Sequence, residues 1–116
     1  MLNVALAVAL LFVVPSIFFG HAVLVGSIPR ANETVGGPNI EVSLTFNSRI
    51  DQGRSTLSIE RPDHRVIRVA VESDSSSPQK LAGRLSSLVP GSYGLRWQVL
   101  AVDGHITRGV ISFQVK

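Results

Sequence analysis

The stretch Ile40-Glu41-Val42-Ser43-Leu44-Thr45-Phe46 alternates apolar and polar side chains over seven positions. Successive side chains of an extended backbone point to opposite faces, so such a segment buries one face and wets the other only as a strand. The rhythm returns in residues 92–99, where Tyr93, Leu95, Trp97 and Val99 share a face, and in residues 109–115. In the latter, the phase carrying Ile111, Phe113 and Val115 is preferred because it aligns the larger side chains. Residues 55–60 and 65–71 are β-branched runs that flank a turn-like cluster, Arg61-Pro62-Asp63-His64. Gly36-Gly37-Pro38, Ser73 to Pro78 and Pro90-Gly91 punctuate the rest, and the serine-rich 73–78 segment reads as the loosest loop. Beyond the first twenty residues no dozen-residue window carries a 3.6 period. Short strands divided by turns predict an all-β sandwich or barrel, in one domain without internal repeats.

Residues 1–20, MLNVALAVALLFVVPSIFFG, hold no charged side chain and break at Pro15-Ser16 before the small Gly20. This predicts a secretory signal peptide cut after Gly20 and a secreted or periplasmic domain over 21–116. Phe18 and the lack of an early Lys or Arg depart from the usual leader pattern, so an uncleaved membrane anchor is the competing reading. The chain has no cysteine, which excludes disulfides and thiolate chemistry, and its one methionine is Met1. A mature domain therefore has only nitrogen and oxygen to offer a metal. The net charge of +3 comes from scattered basic residues interleaved with acids. No basic run or aromatic platform of the kind that binds nucleic acid is present.

Cutting after Gly20 would make His21 the first residue, with a free α-amine and an imidazole able to close on one ion. Near the other end, Asp103-Gly104-His105 offers a carboxylate and a second imidazole. Residues two apart on an extended backbone point to the same side, so Asp103 and His105 share a face. Together these groups read as a copper site. The plainer readings are that Asp103-Gly104 is an ordinary turn dipeptide, that His64 is an exposed turn residue, and that Tyr93 and Trp97 belong to the core. No nucleophile with a base and no paired carboxylates stand out, so the chain is not read as an enzyme.

The order His21-Ala22-x-Leu24-x-x-Ser27-x-Pro29, Leu44-Thr45-Phe46, Pro90-Gly91-x-Tyr93, Trp97, Asp103-Gly104-His105, Gly109, Phe113 and Val115 resembles the CopC family of bacterial extracytoplasmic copper-binding proteins. The resemblance implies an immunoglobulin-like Greek-key β-sandwich that brings the N-terminus beside the Asp-Gly-His segment. It implies a mature protein starting at His21 and copper(II) ligands at His21, Asp103 and His105. It also implies a monomeric protein that buffers or carries copper for resistance or uptake, with a CopD-type membrane protein as partner. One departure stands out. Some members carry a glutamate after the L-x-F strand, where this chain has Asn47-Ser48-Arg49. No methionine-rich copper(I) site is present, so the chain resembles a copper(II)-only member. The alternatives are a metal-free immunoglobulin-like interaction module and, from the enzyme class, an oxidative copper enzyme built on an N-terminal histidine.

Overall fold

The computed structural model describes residues 21–116; the expected signal peptide, residues 1–20, lies outside the described residues. The strands are β1 (Leu24–Ile28), β2 (Thr34–Val35), β3 (Ile40–Phe46), β4 (Ile50–Glu60), β5 (Val66–Val69), β6 (Lys80–Leu85), β7 (Gly91–Ala101) and β8 (Ile106–Val115). No helix occurs among the described residues. The strands make two sheets, in the orders β1-β3-β6 and β2-β8-β7-β4-β5. The chain changes sheet between β1 and β2, β2 and β3, β3 and β4, β5 and β6, and β6 and β7. These crossings make the immunoglobulin-like Greek-key sandwich that the family resemblance implies.

The core is the set of inward faces that the alternation marked. Val42, Leu44 and Phe46 of β3 are buried, as are Leu57 and Ile59 of β4 and Tyr93, Leu95 and Val99 of β7. The chosen phase of β8 holds: Ile111, Phe113 and Val115 are buried while Val110 is exposed. Tyr93 stacks on Phe113, and its hydroxyl donates to the Val89 carbonyl at 2.6 Å, the corner contact of such sandwiches. Trp97 departs from a simple core role. It is only half-buried, meeting Phe46 edge to face at 5.2 Å between ring centroids. The indole lies over Gly109, its partner across the β7–β8 ladder, where a Cβ would stand 2.6 Å from the ring. Gly109 is therefore a seat for the indole.

Three strands escaped the sequence reading for physical reasons. In β1 the pairing with β3 shifts between Leu24 and Gly26, which breaks the alternation. In β6 an inward position is Gly83, where an added Cβ would come 2.9 Å from the Ala70 carbonyl oxygen and 3.0 Å from Val69. The two-residue β2 is held only by parallel pairing with β8. The run at 65–71 shortens to β5, an edge strand on which Val66 and Ile67 are exposed.

The 73–78 loop is tied down more firmly than its composition suggests. The Gln52 amide donates to the carbonyls of Asp74, Ser77 and Lys80, and its own carbonyl accepts the Asp74 N–H at 2.8 Å. Within the loop, the Asp74 carboxylate accepts from the hydroxyl and then the N–H of Ser76, which hold its pKa below 3.8.

Gly109→Ala should destabilise the domain by about 1–3 kcal/mol through overpacking against Trp97, measured as a lower denaturant midpoint at unchanged slope. Asp74 has a folded pKa below its unfolded value, so its contribution is complete above the unfolded value and is lost as pH falls through the folded one. Asp74→Asn should therefore flatten part of the decline in melting temperature below about pH 4, read from thermal melts between acidic and neutral buffers.

Candidate metal centre

The turn between β7 and β8 presents the Asp-Gly-His segment. It is closed by the Ala101 N–H donating to the His105 carbonyl at 2.8 Å and the Gly104 N–H donating to the Ala101 carbonyl at 2.9 Å. Gly104 sits at φ +90°, a conformation that an L side chain rarely adopts. The turn reading of Asp103-Gly104 and the ligand reading are thus compatible, because the turn is what aims the side chains.

Asp103 folds back onto His105. The His105 N–H donates to Asp103 Oδ1 at 3.0 Å, and the ring Nδ1 lies 2.6 Å from Oδ2. The backbone N–H is the main cause of an Asp103 pKa below the ordinary carboxylate value. Desolvation opposes it, and the His105 ring hydrogen bond and the nearness of the His105 and His21 rings add smaller lowering effects. In the neutral ring, an Nδ1 that carries the proton and donates to the ionised Asp103 would leave Nε2 as the free acceptor. The His105 side chain is 61% exposed against 20% for Asp103, so the carboxylate is shielded while much of the ring faces water.

His21 arrives from the far end of the sequence. Its ring centroid lies 4.7 Å from that of His105, with the planes tilted by 51°. The placement follows from the residues after it. Ala22 is buried, and its carbonyl accepts the Thr107 hydroxyl at 3.0 Å across 85 sequence positions. The Val23 N–H donates to Asn47 Oδ1 at 2.8 Å, and the Asn47 N–H donates back to the Val23 carbonyl at 2.9 Å.

The three residues named from the sequence, His21, Asp103 and His105, therefore gather at one end of the sandwich. They do not form a closed cage: among the described residues, no three His, Asp or Glu side chains stand ready around one ion. Asp103 is occupied with His105, and gathering the three side chains around one ion would require them to rotate. The donors are two imidazoles and a carboxylate, nitrogen and oxygen groups that suit copper(II) better than copper(I). His64 is elsewhere, exposed at φ +67° in the β4–β5 turn; that turn lies at the other end of the sheet, where Glu60 pairs with Gly94. Asn47 and Thr107 were not singled out from the sequence. Thr107 continues the two-residue spacing of Asp103 and His105, a signal that was there to be read, whereas nothing local marks Asn47.

Comparison with known proteins identifies the family. The family model described as "CopC domain" matches residues 24–116, a span that contains Asp103 and His105 and begins just after His21. Protein YobA of Escherichia coli K12 is 32% identical over 117 residues, covering 99% of this chain and 94% of that protein. Copper transport protein CutJ of Bacillus subtilis is 27% identical over 112 residues, covering 93% of this chain but only 21% of that longer protein. The crystal structure of CopC from Methylosinus trichosporium OB3b superposes with a TM-score of 0.75 at 28% identity, covering 83% of this chain and 94% of that one. The chain belongs to the CopC family, proteins that bind and carry copper and are not enzymes.

Proposed function

We propose that this chain is an exported copper(II) buffer or carrier, serving copper resistance or uptake, whose metal is held by His21, Asp103 and His105. The observation that carries the proposal is the 4.7 Å approach of the His21 and His105 rings at the end of the sandwich where Asp103 also stands. Removal of residues 1–20 would free the His21 amine, and amine and imidazole of one residue form a chelate in which the second bond is made with little further loss of freedom. His105 adds a third nitrogen through Nε2, and Asp103 an oxygen through lone pairs that its bonds to His105 leave unused. With no cysteine, and with the one methionine outside residues 21–116, no soft donor competes for copper(I).

On this reading residues 1–20 are a secretory leader, and the working protein is a monomer in the periplasm or outside the cell. The family resemblance suggests exchange of copper with a CopD-type membrane protein. Support comes from the Bacillus subtilis copper transport protein, in which the similar region makes up a fifth of a longer chain.

Protein beginning at His21 should bind one copper(II) with nitrogen hyperfine structure in electron paramagnetic resonance. His21→Ala and His105→Ala should each weaken binding by more than about 100-fold, beyond the loss typical of residues that only orient a ligand. Competition titration followed by quenching of the single tryptophan measures this, and unchanged affinity in either variant would exclude the assignment. One glycine placed ahead of His21 should also weaken binding, because it turns the amine into an amide. Equal affinity with and without that glycine would remove the amine from the site.

A further inference from the structure

Residues 21–23 lie outside the β-ladder, since the pairing of β1 with β3 starts at Leu24 opposite Phe46. A chain end beyond its last ladder bond ordinarily frays. Here two side chains hold it. The Thr107 hydroxyl binds the Ala22 carbonyl, and Asn47 forms a two-way clamp with the backbone of Val23. The buried Ala22 methyl adds a plug into the core. Thr107 follows His105 by two positions at the start of β8, so the strand that leaves the turn presenting one imidazole also fixes the residue next to the other. Asn47 directly follows β3, the strand against which β1 pairs, and sets the same segment from the opposite sheet.

We propose that Thr107 and Asn47 are positioning residues for copper(II): they hold the start of the domain so that His21 meets His105 without a separate ordering step. This rests on the metal reading above. Neither side chain is a ligand. Thr107 spends its hydroxyl proton on a carbonyl, and Asn47 spends its amide oxygen on an N–H. Their contribution is entropic. A His21 on a loose stub would have to be ordered at binding, and fixing one residue is worth roughly a factor of ten in affinity.

The test compares Thr107→Val, Thr107→Ser and Asn47→Ala with the parent protein, all beginning at His21, and uses His105→Ala as a control. Thr107→Val keeps the branched shape and removes only the hydroxyl. The expected results are a roughly tenfold loss of copper(II) affinity in Thr107→Val and in Asn47→Ala, with near-parental affinity in Thr107→Ser. In the metal-free proteins, the Val23 amide should lose its protection from hydrogen exchange in both weakened variants, while the core amides of Leu95 and Ile111 keep theirs. The resonance spectrum of the copper-saturated variants should keep its nitrogen hyperfine pattern, because no ligand has been removed. Parental affinity in Thr107→Val and Asn47→Ala, alongside a large loss in His105→Ala, overturns the positioning role and leaves the metal site standing. A changed hyperfine pattern in Thr107→Val overturns it too, by showing that the ligand set itself has altered. Parental affinity in His105→Ala overturns the metal reading, and the positioning role with it.

Discussion

The ladder between β7 and β8 pairs ten residues without a break, from Gly91 opposite Val115 to Leu100 opposite Ile106. Because a strand's side chains alternate strictly, this one register decides which residues of both strands enter the core. It sets Tyr93 beside Phe113, and it lays Trp97 over Gly109. It also dictates where the chain must turn. The reversal falls on Val102-Asp103-Gly104, and the positive φ of Gly104 lets it close with Asp103 and His105 on one side. A slip of a single residue would invert the core faces and disperse the polar cluster together. The stability of the sandwich and the geometry of its histidine end are therefore one constraint.

Legibility followed the physics of each segment. β3, β7 and β8 were readable because each has one dry face and one wet face, so the alternation survives in the amino-acid types. β1 was hidden by its shifted pairing at Gly26, and β6 by a glycine in an inward position. The edge strand β5 was recognisable as a strand, but its exposed Val66 and Ile67 look like core residues in a sequence. At the candidate site, His21, Asp103 and His105 could be named because the expected cut after Gly20 would free His21 and because the Asp-Gly-His segment fits the family pattern. Their closeness could not be read locally, since it depends on a Greek-key path that returns β8 to the start of β1. The family resemblance supplied that path in advance, and the contact between Thr107 and Ala22 gives its physical form.

Asn47 shows how a residue type can be overlooked when only its possible service as a ligand is considered. In the sequence it belongs to the stretch Asn47-Ser48-Arg49, where some family members carry a glutamate. In the fold its side-chain oxygen accepts the Val23 N–H while its main-chain N–H donates to the Val23 carbonyl, so one residue fixes both polar backbone groups of Val23. Gln52 repeats the device on a larger scale, using both ends of one amide to gather a serine-rich loop. In a domain without disulfides, such paired amide contacts are how short irregular segments are given a fixed course.

The direction of β8 has a practical corollary. The strand runs from Ile106, beside the clustered histidines, to Val115, paired with Gly91 at the opposite end of the sheet. At about 3.4 Å per residue, its ten residues separate the two ends by roughly 30 Å. Lys116 is therefore a natural handle for immobilisation: a surface or dye coupled there leaves the histidine end facing outward, whereas any fusion at His21 would sit directly on it.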